Sequence, residues 1–230
     1  GIMALIQNAL GRDDGIWWFT ELYRQVTVAV QARCQERFFD NPQWVEALVV
    51  DFAKRYFQAL GAWLEGNRRD CPASWRAFFR KRFVAQKPGY SPLQCALAGV
   101  NAHIQRDLGF AAWTACVRFG LPFSVGTPVY GDYVRINDIL DEVEVGAMRM
   151  MATGWIKRAS ALVDPWDRRA AMCLIRASRW LAWRTADAYR RLAAWSPRWA
   201  SLWLRCLDAY GWACGSVLLL PSFSHGPLLP

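Results

Sequence analysis

The chain spends only two histidines in 230 residues, His103 and His225. His103 lies in Asn101-Ala102-His103-Ile104-Gln105-Arg106-Asp107-Leu108, and a carboxylate follows it four positions later. On a helix, i and i+4 share a face, so the His103 and Asp107 side chains point at one spot. Such a pair can orient a general base, share a proton or bind a metal. It can equally be a buried histidine whose ring bonds a carboxylate to join two helices. Asn101 points elsewhere on a regular helix and reaches the pair only from a neighbouring face.

A second i,i+4 pair, Asp51 and Arg55, interrupts the apolar run from Leu48 to Phe57. It reads as an intrahelical ion pair or as a carboxylate that faces His103. Asp132 and the run Asn137-Asp138-Ile139-Leu140-Asp141-Glu142 form an acidic patch. Asp132 suits a helix N-cap, with the other acids favouring the helix dipole. Carboxylates spaced this way also hold Mg²⁺ against a diphosphate, which makes Asp138 the metal candidate. Two histidines cannot build a His-rich zinc site, so an oxygen-liganded ion such as Mg²⁺ is the cofactor to consider. No serine elbow, phosphate-binding glycine loop, GxGxxG or HExxH motif is present.

These groups need helices to position them, and the pattern is helical throughout. Apolar spacing follows a period of 3.6, and strand-like alternation is scarce. Helices are expected over 16–38, from Asn41-Pro42 to about Glu65, over 73–86, and from Ser91-Pro92 to Leu108 with Gly109 as its cap. Further helices are expected over 110–119, 132–152 and 154–162, from Asp164-Pro165 to Trp195, and from Pro197 to about Leu220. The stretch Gly120 to Gly131 carries two prolines and three glycines and reads as a loop. No internal repeat or low-complexity linker appears. The expectation is one all-α domain of about eight helices, with an N-terminal segment over 1–15 and an irregular tail over 221–230.

Composition bounds the class. Apolar residues make up 54% and charged residues 20%, as in a globular chain. Seven cysteines without a CxxC pair read as reduced, buried small hydrophobes, which favours the cytoplasm. No basic–apolar–cleavage pattern is seen, so no signal peptide is expected. The longest apolar run, Ala209 to Pro221, is too short to span a bilayer. The net charge of +9 concentrates in residues 66–90 and 164–205. These clusters read as solvated helix surface or as attraction to an acidic membrane surface. No nucleic-acid module accompanies them, so nucleic acid is not an expected partner. Fourteen tryptophans either fill a helical core or line a pocket for an apolar or cationic ligand.

Four segments taken together resemble a microbial domain family of unknown function. They are Phe19-Thr20-Glu21-Leu22-Tyr23, Phe52 to Leu60 (FAxRYFxAL), Asn101 to Leu108 (NAHIxxDL) and Ala182 to Ala186. The resemblance spans roughly residues 16–190. It implies an all-helical fold and places the site at His103, Asp107, Asp51 and Arg55, but brings no established activity.

The functional expectation is a small-molecule enzyme acting on a largely apolar substrate by cyclisation, elimination or isomerisation. His103, oriented by Asp107, serves as acid/base, with Asp51 and Arg55 completing the catalytic set. Trp113, Trp183, Tyr56 and Asn101 are the expected substrate contacts, around a cavity on the order of 300–1,000 Å³. Metal-assisted hydrolysis is one alternative. A non-enzymatic protein that binds an apolar ligand or an acidic membrane surface is another.

Overall fold

The helices begin and end where local chemistry dictates. The computed structural model describes residues 1–87, 90–151 and 165–221. Helix α1 covers Ile2–Ala9, a segment to which the sequence pattern assigns no element. Helix α2, Gly15–Gln35, starts at Asp14, whose carboxylate accepts from the Ile16 N–H. Helix α3 is Pro42–Leu64 and stops before Gly66 at φ 74°. Helix α4 is Ala73–Arg80, shorter than expected; a 3₁₀ turn at Val84–Gln86 makes up part of the remainder.

Helix α5, Pro92–His103, opens with a full capping box. The Ser91 hydroxyl accepts from the Gln94 N–H, and the Gln94 side chain accepts from the Ser91 N–H. The expected stop at Gly109 does not occur. A single wide π-turn, Ile104–Leu108, carries the helix straight into α6, Gly109–Phe119. Gly109 is helical, and its missing side chain serves packing: a Cβ there lies 2.0 Å from the Ala182 carbonyl oxygen. The true stop is Gly120, left-handed at φ 63°.

Helix α7 is Pro128–Met151, α8 is Pro165–Trp195 and α9 is Pro197–Leu218. The proline start of α7 lies inside the expected loop, which shortens it. The helix expected over 154–162, Asp164 and the tail beyond 221 lie outside the described residues. With α5 and α6 counted as one rod, eight helices and no strand form a single all-α domain among the described residues.

Two helix starts borrow carboxylates from distant helices. Asp132 was expected to cap its own helix. It sits instead inside α7, fully buried, and accepts from the Asp40 N–H, the Asn41 N–H and the Asn41 side-chain amide at 2.7–3.0 Å. It thus caps α3, where Asn41 makes no capping bond of its own. Asp208 on α9 does the same for α4, taking the Ala73 and Ser74 N–H groups.

The core has two parts. One gathers Phe19, Tyr56, Trp75, Phe78 and Phe79 from α2, α3 and α4. The other gathers Trp44, Phe123, Tyr133 and Trp183, with small alanines of α6 and α8 between them. The candidate site residues His103 and Asp107 lie beside Phe52 and Val100, which pack against both parts.

Candidate functional site

The π-turn buries His103 and Asp107 together, each less than 5% exposed. The His103 Nδ1 lies 3.0 Å from Asp107 Oδ2. The same oxygen accepts a 2.9 Å hydrogen bond from the Trp75 indole N–H of α4. An ionised carboxylate only accepts, so the proton between it and the imidazole sits on Nδ1. Neutral His103 then carries its lone pair on Nε2, which is buried and has no hydrogen-bond partner among the described residues. Burial lowers the His103 pKa below its ordinary 6.5, against the opposing pull of Asp107. The ring is therefore neutral and a base at pH 7.

Aromatic side chains fix the ring. Phe52 of α3 stacks on it at 3.4 Å between centroids and 5° between planes. Tyr23 of α2 meets it edge-on at 4.8 Å. Trp75 packs at 5.4 Å while holding Asp107. The arrangement is base, orienting carboxylate and a third group that orients the carboxylate.

His103 lines a cavity of about 190 Å³ between α2, α3, α5, α7 and α8. This is smaller than expected, because Leu, Ile and Val side chains of α2, α5 and α7 close in on it. The wall is almost wholly apolar. Besides His103, its polar side chains are those of Tyr23, Thr27 and Arg179. The buried Tyr23 hydroxyl makes no well-formed hydrogen bond, its polar neighbour being Thr27. Burial raises its pKa far above that of a free tyrosine, and Asp107 adds to the rise, so it remains a neutral O–H donor.

The remaining sequence-nominated residues lie apart from this cavity. Asp51 and Arg55 form their ion pair at 3.0 Å, and Arg55 reaches Thr114 of α6 at 3.3 Å. They brace α3 against α6, and Arg55 touches the site only through its field, which disfavours His103 protonation. Tyr56 is fully buried, hydrogen-bonded to Thr20 at 2.8 Å and stacked on Trp75 at 5.2 Å. Asn101 donates to the Gly211 carbonyl at 2.8 Å and anchors α9.

Among the described residues no tryptophan lines the cavity; its aromatic members besides His103 are Phe19, Tyr23 and Phe52. Trp183 packs with Phe123 at 4.0 Å and with Tyr130 and Tyr133, and Trp113 packs beside Tyr189. Asp138 is exposed beside Arg176. Among the described residues no three His, Cys, Asp or Glu side chains gather as a metal-binding group.

Two cavity-lining residues, Tyr23 and Arg179, and the Asp107 partner Trp75 are not singled out by the sequence pattern. Tyr23 ends the Phe19–Tyr23 motif, a signal noted but not assigned a role. Arg179 sits between Ile175 and Ala182-Trp183 at helical spacing, yet counted only as part of a charged surface. Trp75 carried no distinguishing signal among fourteen tryptophans.

Among the described residues no disulfide forms; Cys34, Cys71, Cys95 and Cys116 are buried as expected, whereas Cys173 and Cys206 are exposed. Among the described residues no helix is long and apolar enough to cross a membrane. The chain matches no curated protein and no solved structure. One family model does match it, over residues 2–221. That nearly full-length match shows that the chain belongs to the Family of unknown function (DUF5995).

Proposed function

We propose that this protein is a small-molecule enzyme that moves a proton on a largely apolar substrate held beside His103. The carrying observation is the buried Nε2, which has no partner among the described residues while Nδ1 is engaged in the Asp107–Trp75 chain. A neutral imidazole in an apolar cavity is a competent general base, and as imidazolium it returns the proton as an acid. The Tyr23 O–H is placed to donate to an oxygen on the substrate. Isomerisation, elimination and cyclisation are the reaction types that need only such proton transfers.

Incubation with small apolar carbonyl compounds and alkenes in D₂O tests this. Wild type should place deuterium in at least one product. His103→Asn should cut that rate roughly 10²–10⁴-fold, the usual worth of a positioned acid/base, with the melting temperature kept. Full activity in His103→Asn overturns the reading.

A second reading, contact with an acidic membrane surface, is favoured by α9. Its outer face exposes Trp199, Leu202, Tyr210 and Val217, and Trp195 lies just before it. The cations Arg198 and Arg205 are also exposed. Apolar and indole groups flanked by arginine are the pattern of a helix that lies in a lipid interface.

A further inference from the structure

Among the described residues Arg179 is the one full cation in the cavity wall. It is 4% exposed. Buried charges are nearly always paired, because desolvation without compensation is costly. Arg179 lacks that compensation. Among the described residues no carboxylate lies within ion-pair distance of it. One terminal nitrogen, Nη2, donates to the Tyr133 carbonyl at 2.6 Å, and the guanidinium rides 4.5 Å over the Tyr133 ring. Its Nε–H is buried and has no partner among the described residues. Desolvation pulls its pKa down from the ordinary value, as expected for a cation short of a counter-charge.

Its place in the fold is also telling. Helix α8 crosses the α5–α6 rod at Gly109, against Ala182 and Ala186. His103 and Arg179 both lie N-terminal to that crossing, and both line the same cavity.

We propose that the cavity takes a small amphipathic monocarboxylate, its carboxylate on the Arg179 guanidinium and its apolar body along Val26, Leu48, Ile136 and Leu140. This rests on the reading of the cavity as a substrate site. One guanidinium balances one negative charge, which suits a carboxylate better than a phosphate dianion. The unsatisfied Nε–H is a charge-assisted donor of the kind a carboxylate accepts. The volume sets the size. A cavity of about 150 Å³ takes benzene, so about 190 Å³ suits an acid on the order of ten non-hydrogen atoms. With the carboxylate held at Arg179, His103 is left to act on a carbon of the apolar body.

Calorimetric titration with octanoate and with its neutral isostere octanamide tests this. Wild type should bind octanoate roughly 10–100-fold tighter, the worth of a hydrogen bond to a charged group. Arg179→Met should abolish that preference and keep octanamide binding. Its melting temperature should stay or rise, since removing an unpaired buried cation forfeits no ion pair. Arg179→Lys, a point charge without the planar fork, should retain part of the preference. Equal binding of acid and amide to wild type, failure of both to bind, or an undiminished preference in Arg179→Met overturns the inference. The deuterium assay fails independently of this. An acid preference without exchange leaves a carboxylate-binding protein, whereas exchange without acid preference leaves an enzyme for neutral substrates.

Discussion

At the residue scale, His103 makes the protein's stability depend on pH in a definite direction. Its folded pKa lies below 6.5 because burial disfavours the imidazolium. Below pH 6.5 the unfolded chain therefore binds a proton that the folded chain does not. Its contribution to stability is full above about pH 6.5 and is lost as pH falls toward the folded value. The melting temperature of wild type should drop between pH 7.5 and 5.5, and that of His103→Asn should drop less. Parallel curves would show that folding leaves the His103 pKa unshifted, and a wild type that gains on the variant as pH falls would show His103 charged in the folded state, which removes the base from the proposed reaction. His225, the other histidine, lies outside the described residues and is present in both proteins, so it cancels in the comparison.

At the element scale, the site depends on how closely α8 approaches the α5–α6 rod. A Cβ on Gly109 meets the Ala182 carbonyl oxygen at 2.0 Å and the Ala186 methyl at 2.9 Å. The first obstacle is backbone and cannot rotate away, so α8 must move. Gly109→Ala should cost at least the ~1–3 kcal/mol of ordinary overpacking, read by chemical denaturation. It should also weaken ligand binding, because α8 carries Met172, Ile175 and Arg179 into the cavity wall. An unchanged midpoint would mean that the two helices tolerate a wider spacing. The trans caps by Asp132 and Asp208 follow the same logic, since each fixes where a distant helix begins.

At the scale of the whole molecule, the most buried and the most exposed tryptophans call for different explanations. Trp44, Trp75 and Trp183 are fully buried in the core. Trp180, Trp195, Trp199 and Trp212 are exposed on α8 and α9, a stretch rich in arginine. A core explanation covers the first group and leaves the second without a role in folding. If the exposed group serves an acidic lipid surface, wild type should co-sediment with phosphatidylserine vesicles and not with phosphatidylcholine vesicles. The binding should weaken as salt screens the arginines. Trp195→Ala with Trp199→Ala should weaken it further and leave octanoate binding intact, because neither residue lines the cavity. Equal binding to both vesicle types, or none to either, removes the membrane reading.

The amino-acid sequence by itself determined whatever depends on neighbours in the chain. The 3.6-residue period specified an all-α fold. The pairs Ser91-Pro92 and Ser196-Pro197 marked helix starts, because capping and the proline ring act within one turn. The i,i+4 spacing put His103 and Asp107 on one face even through the π-turn, and it likewise made Asp51 and Arg55 an ion pair. Only tertiary structure decided the rest. Which indole holds Asp107, which carboxylate caps α3, and whether Arg179 is surface or interior depend on helices distant in sequence coming together. Gly109 shows the difference most plainly. A glycine at the end of an apolar run has the local signature of a helix cap, yet a carbonyl oxygen from α8, more than seventy residues away in sequence, is what requires it.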